Sequence, residues 1–185
     1  MREKRKYIPG AAYHITSRTN NKVQVFGCNV GRRIMLLTLQ SAKEKFGFRL
    51  HNFCIMPTHI HLLLTPSSNT NISQIMHWLK TRSAKRWNCI QGSTDHLWGA
   101  RFFARQVNDM QDFFSVYNYI DQNAVKAGLA NIPQNWEASG AYFIANNICG
   151  LVDFFPFQRL AYIKLLPEPN GAWHLSSSNQ AACSL

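Results

Sequence analysis

The segment Thr58-His59-Ile60-His61-Leu62-Leu63-Leu64 sets two imidazoles two residues apart inside an apolar run. In an extended strand, side chains at i and i+2 leave the same face. His59 and His61 therefore project together, while Ile60 and Leu62 face the other way. Two neutral imidazoles on one rigid strand form a bidentate clamp for a first-row divalent metal. The same spacing also suits two hydrogen-bonded, partly buried histidines with no metal. Two ligands leave a metal site incomplete, so a third donor must come from elsewhere in the chain.

A second chemical grouping follows Asp109. At 100° per residue, Phe113, Tyr117, Ile120 and Ala124 share one stripe of a helix, with Val116 beside them. Asp112, Tyr119, Asn123 and Lys126 fall on the opposite side, so Tyr117 belongs to the core and Tyr119 to the polar face. Asn123 lies one turn beyond Tyr119, which puts an amide oxygen beside a phenol. Tyr119 is a candidate nucleophile, Asn123 a candidate third metal ligand, and Lys126 a cation able to favour a phenolate or hold a phosphate. Taken in isolation, a Tyr-x-x-x-Asn pattern is far more often a plain surface tyrosine. The chemistry these groups suit is attack on a phosphodiester. A metal offsets the charge that repels nucleophiles, and a tyrosine can retain the bond energy in a covalent phosphotyrosine.

The elements that must carry these residues follow from periodicity. Tyr13 to Arg18 alternates as a first strand. Val30 to Phe46 is helical, with Ile34, Leu37, Ala42 and Phe46 on its apolar stripe and Gly47 as its stop. Phe48 to Met56 and Thr58 to Leu64 are two strands joined tightly at Pro57, which predicts a hairpin. Asn71 caps a second helix running to about Trp87. Leu97 to Val107 is a fourth strand, and Asp109 caps a third helix ending before Gly128. The order strand, helix, strand, strand, helix, strand, helix predicts an α+β fold of ferredoxin-like type, an antiparallel sheet with helices packed on it. That domain is expected over residues 1–140, and residues 141–185 are expected to form a C-terminal extension packing on it with a frayed end.

Charge narrows the partner. The chain has 185 residues, 20 Lys plus Arg and 9 Asp plus Glu, a net of +11. Residues 131–185 carry Arg159 and Lys164 against Glu137, Asp153 and Glu168, a net of −1, so residues 1–130 carry +12. So strong and localised an excess points to a polyanion, nucleic acid first. Five scattered cysteines with no Cys-x-x-Cys argue against a disulfide framework and for a reducing cytoplasm. No apolar run is long enough to span a membrane, and the basic start, Met1 to Lys6, leads into no signal-type core.

Several groups are candidates to hold nucleic acid. Trp78, Arg82 and Lys85 share the polar face of the second helix, suiting base stacking and phosphate contact. The same residues suit a core-edge Trp beside a solvated charge row. Arg101 and Arg105 share a face of the fourth strand, and Arg18 closes the first strand; the bland alternative is an ordinary exposed strand face. The basic run at the N-terminus reads as an arm.

Taken in order, these residues resemble a known family. Tyr13-His14-Ile15-Thr16-Ser17-Arg18-Thr19-Asn20, Phe53-Cys54-Ile55-Met56-Pro57-Thr58-His59-Ile60-His61-Leu62-Leu63-Leu64, Leu97-Trp98-Gly99-Ala100-Arg101-Phe102 and Tyr119-Ile120-Asp121-Gln122-Asn123-Ala124-Val125-Lys126-Ala127-Gly128-Leu129 are similar to the single-tyrosine HUH transposases, most closely to the REP-associated tyrosine transposases of bacteria. The resemblance runs from about Ala12 to Gly140. It implies a histidine–hydrophobe–histidine motif at His59, Ile60 and His61, a nucleophile at Tyr119 and a third metal ligand at Asn123. It also implies a Mg²⁺ or Mn²⁺ cofactor, a hairpin-containing single-stranded DNA substrate, and cleavage to a 5′-phosphotyrosine and a free 3′-hydroxyl followed by rejoining. Relatives of this kind act as monomers or as dimers that supply the tyrosine across an interface. Ala124-Val125-Lys126 stands where the family usually has Pro-Val-Arg, and Thr58 where it usually has Asn. Two other readings of the chain are a hairpin-binding module that does not cut, and a metal-dependent RNA nuclease using activated water.

Overall fold

Four strands set the geometry of everything else. The computed structural model of the protein describes residues 7–8 and 10–153. Strands β1 (Tyr13–Arg18), β2 (Arg49–Met56), β3 (His59–Thr65) and β4 (Phe103–Gln106) form one antiparallel sheet in the order β2-β3-β1-β4. Four helices accompany it: α1 (Asn29–Phe46), α2 (Ile72–Gln91), α3 (Met110–Lys126) and the short α4 (Gly140–Ala145). This is the α+β architecture expected, with the β2–β3 hairpin in place.

The pleat sorts side chains between two unlike layers. Ile15, Ile60, Leu62, Leu64, Phe53 and Ile55 are fully buried on one face, in a core shared with Met35 and Leu39 of α1 and with Ile75, Met76 and Leu79 of α2. The other face carries His14, Thr16 and Arg18 of β1, His59 and His61 of β3, and Phe103 and Arg105 of β4, as the registers Arg18↔His59, Thr16↔His61, Thr16↔Phe103 and His14↔Arg105 require. Helix α3 packs on this second face, over β2 and β3.

Local chemistry fixes the helix ends. Asn71 and Gln74 form a reciprocal capping box at the start of α2, and Gly92 ends it in the left-handed conformation at φ 62°. Asp109 caps α3 by accepting from the Asp112 amide at 2.8 Å. The β2–β3 turn at Pro57 and Thr58 is bound on both carbonyls. Phe26 donates its amide to the Pro57 oxygen at 3.0 Å, and Thr19 donates its amide to the Thr58 oxygen at 2.8 Å.

Some expectations shift. Helix α2 runs to Gln91, beyond Trp87. Strand β4 begins only at Phe103, so Arg101 lies outside it. The chain before it is tied to the end of β1, Trp98 bridging Thr19 and Gly99 donating to the Arg18 carbonyl, and this detour prevents an extended ladder from Leu97. Leu37 is half-exposed, because the buried stripe of α1 runs through Ile34, Met35, Thr38, Leu39 and Ala42.

The compact unit also reaches Asp153, past the boundary expected at residue 140. Leu151 and Val152 are buried in it. Asp153 exchanges backbone and carboxylate bonds with Leu50 and pairs with Lys43 at 2.8 Å. The rest of the expected extension, residues 154–185, and the basic run Met1 to Lys6 lie outside the described residues.

Candidate active site

The histidine pair is held from behind. The rings of His59 and His61 stand 5.0 Å apart, centroid to centroid. Each uses Nδ1 for a protein contact: Thr58 Oγ1 lies 3.0 Å from that of His59, while His14 Nε2 at 3.0 Å and Thr16 Oγ1 at 3.3 Å approach that of His61. Burial holds His61 down to about 3 and His14 down to about 4, and it also lowers His59, so all three rings are neutral at physiological pH. The neighbouring cations, Arg18 for the pair and Arg105 for His14, act in the same direction.

Helix α3 brings the phenol. As the helical wheel requires, Tyr117 is buried and Tyr119 is 44% exposed. The Tyr119 ring meets His61 edge-on at 5.6 Å and His14 at 5.7 Å, and Lys126 Nζ lies 5.6 Å from its centroid. Nucleophile candidate and histidine pair therefore converge within a single chain. Asn123 sits one turn on, half-buried. Its amide nitrogen donates to the Tyr119 carbonyl at 2.9 Å, which keeps Oδ1 out of that bond. Among the described residues no hydrogen bond joins Asn123 to the histidines.

What fixes α3 over the sheet is a polar pin. Asn52, fully buried at a bulge of β2, donates to the Tyr117 carbonyl at 3.2 Å and to Asp121 Oδ1 at 2.8 Å, while its own Oδ1 accepts from the Phe53 amide. Gly140 abuts the same amide closely enough that any Cβ there would collide with Asn52 Oδ1.

Between α3 and the β1–β4 side of the sheet lies a cleft of about 510 Å³, its floor formed by His14, Thr16 and His61 and its walls by Arg18, Phe103 and Tyr119, among others. Arg105 also lines it, bound through both guanidinium nitrogens to Asp112 at 2.8 Å, and this pairing pulls Asp112 down to about 2. Arg18 is the exposed cation of the cleft.

The remaining predicted contacts lie elsewhere. Lys85 and Arg101 line a separate cleft of about 900 Å³ between α2 and the 92–102 connection, together with Lys80 and His77. Trp78 leans edge-on against Phe46 at 5.9 Å, and Arg82 covers its ring at 5.7 Å, so it sits at the edge of the core. Arg101 and Arg105 do not share a strand face.

His14 and Phe103 were not singled out as site residues by sequence reasoning. The alternation of β1 did put His14 on the face of Arg18, but which strands flank β1 is decided by sheet order. Among the described residues no group of three or more His, Cys, Asp or Glu side chains is placed to hold a metal. The sheet offers the two imidazoles, and α3 carries the Asn123 amide one turn beyond Tyr119. The residues present fit a divalent ion: both Nδ1 atoms are engaged by protein groups, which directs ligation to Nε2, and both rings are neutral.

A sequence model of the IS200-like transposases matches residues 8–123, a span that contains His59, His61 and Tyr119 and ends on Asn123. The chain belongs to the IS200-like transposase family. A REP-associated tyrosine transposase of Haemophilus influenzae is 28% identical over 106 residues, which cover 52% of this chain and 60% of that protein, so the match spans less than two thirds of the relative. A solved structure of a REP-associated tyrosine transposase bound to a REP hairpin aligns at a TM-score of 0.65 with 21% identity, covering 83% of this chain and 95% of that one. At that identity the likeness is one of fold.

Proposed function

We propose that the protein cleaves and rejoins hairpin-containing single-stranded DNA through Tyr119. The observation that carries this reading is the meeting of the Tyr119 ring with His61 and His14 in one open cleft, with a cation over the phenol. In the reaction, the Tyr119 oxygen attacks a backbone phosphorus and the 3′-oxygen leaves, taking up a proton. The product is a 5′-phosphotyrosine and a free 3′-hydroxyl. A 3′-hydroxyl later attacks that phosphotyrosine, restores the phosphodiester and returns the phenol. No bond energy is lost to hydrolysis.

Phenol is a weak nucleophile because its ordinary pKa is about 10. Lys126, whose Nζ lies 5.6 Å from the Tyr119 ring centroid, sets a cation beside the nucleophile, and Arg18 orients the phosphate at the mouth of the cleft. His59, His61 and Asn123 Oδ1 would hold a Mg²⁺ or Mn²⁺ ion, which when bound supplies charge neutralisation at the phosphate. Phe103, 61% exposed on the cleft wall, offers a face for an unpaired base. Lys80, Lys85 and Arg101 extend the positive surface toward the second cleft. Hairpin DNA as the substrate class draws support from the relative solved with a REP hairpin. Because Tyr119 meets His61 of its own chain, cleavage is proposed to proceed in cis.

The test is to incubate the full chain with labelled single-stranded hairpin DNA and Mn²⁺ and to resolve covalent adduct on a denaturing gel. The wild type should give adduct and Tyr119→Phe none; adduct from Tyr119→Phe defeats the assignment. Tight hairpin binding with no adduct in any divalent metal would mark a binding module. Cleavage of an RNA hairpin that persists in Tyr119→Phe would mark a water-using nuclease.

A further inference from the structure

We propose that His14 is a positioning residue that fixes the tautomer and the orientation of His61; this rests on the reading of His59 and His61 as metal ligands. The register of the sheet places His14 on β1 next to the neighbour of His61, since Thr16 pairs with His61 and His14 shares the face of Thr16. The two rings are nearly parallel, 19° apart with centroids at 5.3 Å, and His14 Nε2 lies 3.0 Å from His61 Nδ1. Two facing ring nitrogens at that distance share one proton: one donates and the other accepts. For His61 to offer Nε2 as a ligand, its proton must be on Nδ1. His14 Nε2 is then the acceptor, and His14 carries its own proton on Nδ1. Metal-binding histidines characteristically need such a partner behind the ring, and losing it commonly weakens the metal 10- to 100-fold.

Several contacts suit His14 to this work and to little else. It is largely buried, so it does not swing freely. Arg105, its register partner on β4, is locked to Asp112 through two bonds, so the strand beside it is braced against α3. Its edge meets the Tyr119 ring at 5.7 Å, so the residue that orients His61 also borders the candidate nucleophile. Thr16 Oγ1, at 3.3 Å from the same His61 nitrogen, is the longer and weaker partner and would remain if His14 were removed. The residual alignment it supplies sets the expected effect near the lower end of the range.

The test is Mn²⁺ binding by the full chain, read by electron paramagnetic resonance of the free ion, for the wild type, His14→Ala, His14→Gln and His59→Ala. His14→Ala should bind Mn²⁺ about 10-fold more weakly. His14→Gln, whose side-chain oxygen falls near the place of Nε2, should recover most of the loss. Far-ultraviolet circular dichroism and the thermal unfolding midpoint should match the wild type in both, which verifies the fold. If His14→Ala matches the wild type while His59→Ala loses the metal, the role given to His14 is wrong and the metal reading stands. If His59→Ala also matches the wild type, the metal reading itself has failed and takes this inference with it. An independent arm needs no variant to fold: ¹⁵N spectra of the wild-type imidazoles should show His61 protonated on Nδ1, and protonation on Nε2 overturns the proposal.

Discussion

At the scale of single residues, the side chain that most constrains the site is not one that would touch DNA. Asn52 is fully buried and spends its amide on the Tyr117 carbonyl, Asp121 and the Phe53 amide. Removing it takes away three buried hydrogen bonds at once, a cost of about 1–3 kcal/mol. Asn52→Ala is therefore expected to lower unfolding stability by about 2 kcal/mol, read as a lower midpoint in urea, with adduct formation reduced because α3 loses its pin. An unchanged midpoint would show that α3 is held by its apolar stripe alone. The residues of the candidate chemistry were legible where one element's period decides them. His59 and His61 follow from the two-residue repeat of a strand, and Tyr119 against Tyr117 from the helical wheel. Asn52 and His14 were not, because their partners lie on elements far away in sequence. Trp78 was undecidable from the wheel, since Phe46, on which it leans, belongs to another helix.

At the scale of elements, α3 decides the site, because it carries Tyr119 and Asn123 on one face and its apolar stripe on the other. Its first turn is tied by the Asp109 cap and by Asp112, which also accepts from the Asn108 amide and from Arg105. Asp109→Ala should cost about 1 kcal/mol of stability. A roughly five-fold fall in α3 protection in hydrogen exchange, with α1 and α2 unaffected, would locate that cost; an equal fall across all helices would mean that α3 does not open on its own. The helices were well read from sequence because caps such as Asn71 and Asp109 and stops such as Gly47 are local signals. Strand β4 was overread, since nothing in Leu97 to Phe102 announces the turn toward Thr19 that keeps that stretch out of the sheet. Leu37 shows the limit of an apolar count: the wheel gave it a place on the stripe, and α1 turns that place to solvent.

At the scale of the whole molecule, two features act together: a strong positive excess and a set of histidines buried without charge. His51, 1% exposed and bonded to Thr65 Oγ1 at 2.8 Å, is held down to about 4 by burial. Above pH 6.5 it is neutral both folded and unfolded, so it lends no pH dependence there. Below 6.5 the unfolded chain takes up a proton that the folded chain refuses, and stability falls by about 1.4 kcal/mol per pH unit until about pH 4. His14 and His61 are depressed in the same sense and add to the slope. The urea midpoint of the metal-free protein should accordingly drop between pH 7 and pH 5, and less steeply in His51→Gln. A flat profile over that interval would show that the histidines are protonated at no cost in the folded state. Asp112 works in a lower window: its support is present above pH 3.8 and is lost as the pH falls toward 2.

The turn between β2 and β3 has a practical consequence. Tight hairpin turns at a surface are ordinarily safe places to splice in a tag or to open new chain ends by circular permutation. Here the two carbonyls at the tip are already spoken for by Phe26 and Thr19, the latter through both its amide and its hydroxyl. An insertion at Pro57 or Thr58 would unfasten the start of β3 and with it the alignment of both imidazoles.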